Sequence, residues 1–144
     1  MAKINVALLS MIVWFPLLIS CGESPKGSNH ASESSAQAIM KNLSVDEFKG
    51  AMDTLKKGIV LDVRTPGEYK SGHVPGAVNI DWNGSAFNDE VSKLDKSQTV
   101  LIYCLSGGRS SAAMQRMKSL GFTEVYNMRG GISAWKSKGY PTEG

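Results

Sequence analysis

The chain has 144 residues, with 16 Lys and Arg against 13 Asp and Glu for a formal net charge of +3, and 42% of it is hydrophobic. Charges of both signs are interspersed and no basic run carries interleaved aromatics, so nothing supports a nucleic-acid partner. Two cysteines (Cys21, Cys104) and two histidines (His30, His73) are too few for a thiolate metal site, so no metal and no other cofactor is expected.

The chain opens with Lys3 and an almost unbroken apolar run from Val6 to Ile19. That run is short for a membrane span of ~20 residues and suits the core of an export signal. It ends Leu18-Ile19-Ser20-Cys21, which resembles the lipobox of bacterial lipoproteins, where the signal is cut before the Cys and the Cys is lipidated. The resemblance implies a signal peptide over 1–20, a membrane anchor through lipid on Cys21, and a periplasmic location. Gly22 in place of Asp resembles lipoproteins of the outer membrane. An uncleaved anchor and soluble secretion are the other readings. Residues 21–40 are rich in Ser, Gly, Asn and Glu and bury too little to order themselves, which predicts a flexible tether containing a solvated His30.

One small domain is predicted over 41–144. Ser44 to Glu47 spells a capping box, and Val45, Phe48, Met52 and Leu55 follow at helical spacing until Gly58 stops the helix. Ile59 to Val63 is a short apolar strand whose continuous hydrophobicity predicts burial on both faces. Thr65-Pro66-Gly67-Glu68 is a second capping box with Pro at the first helical position. Gly72 to Gly76 is a turn, Ala77 to Ile80 a strand, and Phe87 to Leu94 a helix. Thr99 to Tyr103 is a strand, Ser110 to Leu120 a helix that Gly121 caps, Val125 to Met128 a strand, and Ile132 to Ser137 a helix after Gly130-Gly131. Strands alternating with helices predict an α/β fold, a three-layer open sheet that is mainly parallel. Ligands of such sheets sit beyond the carboxyl ends of the strands, where Cys104, Asp62, Arg64 and Arg129 all fall.

The loop Cys104-Leu105-Ser106-Gly107-Gly108-Arg109-Ser110 carries the chemistry. A cysteine between a strand and a helix lies over unpaired helical N–H groups, which stabilise its thiolate. Its pKa should then fall from ~8.5 towards neutrality. The bland alternative is a buried free cysteine at a strand end. With Cys21 lipidated, Cys104 is the one free thiol, so neither an internal disulfide nor a two-cysteine cycle is available. Covalent sulfur chemistry without a metal remains, provided the thiol is ionised and reachable.

Four stretches resemble the rhodanese (sulfurtransferase) family: Asp62-Val63-Arg64 with Glu68-Tyr69, Gly72-His73-Val74-Pro75-Gly76-Ala77-Val78-Asn79, the loop Tyr103 to Ser110, and Val125 through Gly130-Gly131 to Trp135. The resemblance implies a Cys104 persulfide, charged by a small-molecule donor such as thiosulfate and discharged to a thiol or cyanide. Backbone donors from Leu105, Ser106, Gly107, Gly108 and Arg109 are then expected to hold the persulfide, with Gly107 and Gly108 letting the chain curl and Arg109 closing the rim. Four residues separate Cys104 from Arg109, one fewer than in cysteine phosphatases on the same fold, which favours a bound sulfur over a tetrahedral oxyanion; phosphatase or arsenate reductase activity is the minor rival. Leu105 stands where relatives carry a polar or cationic residue, which weakens attraction for thiosulfate by ~1 kcal/mol and suits a less charged persulfide or polysulfide. A non-catalytic binding or sulfur-carrier module is the alternative from a different class. Among supporting residues, Asp62 is expected to anchor the strand end and Arg64 to pair with Glu68 behind the site. His73 should fix its turn, Trp135 and Tyr140 should pack, and Trp82 should line the entrance.

Overall fold

Strand β4 (Thr99–Tyr103) sits at the centre, and Val100, Leu101, Ile102 and Tyr103 are each fully buried, as a parallel strand covered on both faces requires. The computed structural model describes residues 37–144 apart from Lys56. The signal 1–20, Cys21, His30 and most of the tether lie outside the described residues.

Five parallel strands form one sheet in the order β1-β5-β4-β2-β3. Besides β4 these are β1 (Ile39–Leu43), β2 (Gly58–Asp62), β3 (Val78–Asn79) and β5 (Glu124–Met128). The first helices are α1 (Val45–Thr54) and α2 (Pro66–Lys70), each opened by the predicted capping box. They are followed by α3 (Phe87–Ser92), α4 (Gly108–Ser119) and α5 (Gly131–Ser137). One face of the sheet buries Phe87 and Val91 of α3 and Ala113, Met114 and Met117 of α4 against Leu61, Ile102 and Val125. The opposite face buries Val45 and Phe48 of α1 and Ile132 and Trp135 of α5 against Leu101, Tyr103 and Met128. The α/β three-layer arrangement is therefore as expected from the pattern.

Two local expectations need correction. Residues 39 and 40 belong to β1, so the tether does not reach residue 40. Among the described residues this strand pairs on one side only, with β5, and it mixes Lys41 and Asn42 with apolar residues, which hides it from a periodicity argument. Gly58 does not end α1; Leu55 caps that helix, and Gly58 begins β2. Half-buried Trp82 packs edge-on to Phe87 at 4.9 Å. Trp135 and Tyr140 pack as expected, with rings 4.9 Å apart and the buried indole N–H donating to the Pro141 carbonyl.

Candidate active site

The loop leaves β4 at Cys104 and turns into α4 through Gly107, which holds φ at +103° as the residue capping that helix. A side chain there would strain the backbone, so Gly107 earns its glycine by conformation. Gly108 does not: its φ is not left-handed, and an added Cβ would meet nothing within 4 Å. The expectation that both glycines are needed for the curl is corrected to one.

Carbonyls of the loop point to α5. The amide N–H of Ile132 donates to the Cys104 carbonyl at 2.9 Å and that of Ser133 to the Leu105 carbonyl at 3.1 Å. These are first-turn helical donors, which need partners from outside the helix. With its carbonyls engaged there, the loop turns amide donors to the sulfur: Gly107 N–H donates to Cys104 Sγ at 3.1 Å and the buried Ser110 hydroxyl at 3.4 Å. Burial pushes the Cys104 thiol up, but the Ser110 hydroxyl and the amides of Ser110, Gly107 and Ser106 together favour the thiolate more. The net direction is down. The direction is the one expected for a thiol beside helical amides.

Access differs from the sequence-based expectation. Cys104 is only 1% exposed, while Leu105, Ser106 and Gly108 are exposed around it. The sulfur thus forms the floor beneath an open loop, and a reagent must cross that rim.

The supporting residues are paired differently from the expectation. Arg64 does not pair with Glu68. It clasps Asp62, with Nη2 at 2.6 Å from Oδ2 and Nε at 3.0 Å from Oδ1, and donates to the Gly72 carbonyl at 2.9 Å. Asp62 is fully buried and Arg64 nearly so, and a buried pair is held by such multiple bonds. Asp62 is the strand-end anchor expected of it. Glu68 instead reaches Arg109 across 41 residues of sequence, with Nη1 donating at 2.8 Å and Nη2 at 2.7 Å to its two oxygens. The Arg109 hydrogen bonds hold the Glu68 carboxyl down at about 2. His73 fixes its turn as expected, its ring stacked on Tyr69 at 3.7 Å and its backbone bonded to Glu143.

Three functional contributors escape the sequence argument. Ser110 was legible only as the end of the loop, Gly131 only as part of a turn. Asn127 on β5 bonds to Asn42 of β1 at 2.8 Å and lies 3.5 Å from the Gly107 carbonyl, with its buried Oδ1 unpartnered among the described residues. Nothing in local spacing announces that bridge. Among the described residues no group of three or more His, Cys, Asp or Glu could hold a metal.

An amide-lined thiolate at the carboxyl edge of a parallel sheet defines a sulfur nucleophile site. Residues 44–138 match the model of the rhodanese-like domain, and the chain belongs to that family. It is 35% identical over 102 residues to an uncharacterized protein, YqhL, of Bacillus subtilis (strain 168), covering 71% of this chain and 77% of the relative. It is 38% identical over 93 residues to a protein of Arabidopsis thaliana named thiosulfate sulfurtransferase 16, chloroplastic, covering 58% and 78%. The solution structure of a rhodanese-like domain from an Anabaena protein superposes with a TM-score of 0.65 at 30% identity, covering 72% of this chain and 78% of that one.

Proposed function

We propose that the domain is a rhodanese-type sulfurtransferase that carries a sulfane sulfur as a Cys104 persulfide. The observation that carries this reading is the pair of donors, Gly107 N–H and Ser110 O–H, trained on Cys104 Sγ. The Cys104 thiolate attacks the outer sulfur of thiosulfate or of a persulfide or polysulfide. The donor's bond to that sulfur breaks, and sulfite or a thiolate leaves with the electron pair. An acceptor thiolate or cyanide then attacks the outer sulfur of Cys104–S–S⁻, and the electron pair returns to Cys104 Sγ. The covalent intermediate makes ping-pong kinetics the expected rate law, the thiosulfate:cyanide class being one case of it. Intact mass after incubation with thiosulfate or inorganic polysulfide should rise by one sulfur in the wild type and not in Cys104→Ser. No adduct with any sulfane donor, or a folded chain whose thiol resists iodoacetamide, overturns the proposal.

The 1% exposure of Cys104 favours a second reading, a sulfur carrier or binding module without turnover. Catalytic formation of thiocyanate from cyanide separates the two. We propose further that the domain works at the periplasmic side of the envelope on lipid attached to Cys21. The apolar run Val6 to Ile19 and the sequence Leu18-Ile19-Ser20-Cys21 support this. Labelled palmitate should enter the full chain and be lost in Cys21→Ser; equal label in both overturns the anchor.

A further inference from the structure

We propose that Glu68 is a specificity-determining residue, which disfavours doubly charged sulfur donors by occupying the guanidinium fork of Arg109. The inference rests on the sulfur-transfer reading above and concerns which donors that site accepts.

Arg109 is the one cation within the Cys104 loop, and a free fork there would suit the oxygens of thiosulfate and the sulfite that leaves it. The fork is not free. Both oxygens of Glu68 take its two terminal nitrogens at 2.7 and 2.8 Å, the side-by-side geometry that matches a carboxylate best. Glu68 cannot readily swing away, because its Oε2 also accepts from the Thr65 amide at 3.0 Å and the Thr65 hydroxyl at 2.9 Å. The capping box of α2 thereby doubles as the mount for an anion at the edge of the cradle. Asp81 adds a further negative charge that acts on Arg109, and the exposed Leu105 adds no charge of either sign.

Arg64, which also acts on Glu68, is cancelled by its own partner Asp62, so the Cys104 thiolate, Glu68 and Asp81 set against Arg109 leave the rim net negative before any donor arrives. A dianion is repelled twice as strongly as a monoanion at equal distance, and its leaving group, sulfite, is a dianion too. A persulfide of a thiol brings one charge and releases a thiolate with one charge. The site is thus built for persulfide or polysulfide donors over thiosulfate.

The test compares wild type with Glu68→Gln on two donors, thiosulfate and the persulfide of 2-mercaptoethanol, with cyanide as acceptor. Gln retains an oxygen for the Thr65 amide, so the cap of α2 is preserved. KM for thiosulfate should fall by up to about fivefold, the size of one exposed charge contact, while KM for the persulfide, with half the charge, falls by about twofold at most. A structural role alone would shift both donors together, and that result overturns the inference, as does an unchanged thiosulfate KM. Should the variant fold poorly, the wild type still decides. An anionic rim makes kcat/KM for thiosulfate rise with ionic strength as repulsion is screened, and a fall with salt overturns the inference. A wild type that takes sulfur from neither donor overturns the sulfur-transfer reading and this inference with it. A wild type that transfers sulfur yet shows no donor-dependent response overturns the role of Glu68 alone.

Discussion

Gly131→Ala puts the architecture of the loop to its most direct test. Gly131 holds φ at +55°, and a methyl group built on it would overlap the Cys104 carbonyl oxygen and come within 2.6 Å of the Leu105 carbonyl carbon and oxygen. Those atoms are backbone and cannot rotate away. The left-handed conformation alone costs alanine ~1–2 kcal/mol. Pushing the loop off α5 also strains or breaks the hydrogen bonds from Ile132 and Ser133 to the Cys104 and Leu105 carbonyls, at ~0.5–1.5 kcal/mol each. The sum is a loss of about 2–5 kcal/mol, a large part of the ~5–15 kcal/mol that holds a typical domain together. Urea unfolding followed by circular dichroism measures it as a fall in the midpoint at constant slope. Gly108→Ala is the control: it adds a methyl in open space within α4, so stability should hold or rise slightly. The rate of iodoacetamide alkylation against pH should show a higher thiol pKa in Gly131→Ala, because the amides no longer converge on the sulfur. A Gly131→Ala protein within ~1 kcal/mol of wild type and with an unmoved thiol pKa would refute the bracing of the loop by α5.

Other perturbations follow from the same contacts. Ser110→Ala removes one donor from Cys104 Sγ and should raise the thiol pKa, read from the same alkylation profile; an unmoved profile removes Ser110 from the site. Asp62→Ala strands the buried Arg64 guanidinium and should cost about 3–5 kcal/mol in urea unfolding, whereas a loss under ~1 kcal/mol would deny that the pair anchors β2. The Arg109 hydrogen bonds hold the Glu68 carboxyl down at about 2, below its ordinary 4.5, so the unfolded chain binds its proton first as pH falls. Its contribution is therefore fully present above pH ~4.5 and drains away as pH falls towards ~2. Because the ion pair is partly solvent-exposed, the loss is discounted to ~1 kcal/mol. Glu68→Gln should flatten that acid limb, and identical limbs would contradict the assignment.

Local signals read well from the sequence because their causes are local. The β4 run is continuous since both its faces are covered, and the two capping boxes are written within four residues each. The cysteine and its turn fall next to each other in the chain, so the reacting centre was visible as well. What stayed hidden depends on strand order and register. Arg64 pairs with Asp62, two residues before it, rather than Glu68, four after it, because the turn from β2 into α2 leads Glu68 towards Arg109 on α4. The Asn42–Asn127 bridge exists only because β1 lies beside β5 in parallel register. Strand β1 mixes Lys41 and Asn42 with apolar residues, and among the described residues one of its edges has no partner strand.

The seat of the Cys104 carbonyl on α5 ties reactivity to the completion of folding. The groups that orient the nucleophilic loop are Ile132 and Ser133, nearly thirty positions downstream, within the final helix. A nascent chain that has emerged only through β5 carries a cysteine without its aligned amides. Its sulfhydryl then has the ordinary acidity of a free cysteine and is mostly protonated at neutral pH. The thiolate, the form open to oxidation, gains its full support only when the last helix docks, so the completed domain is the more reactive one.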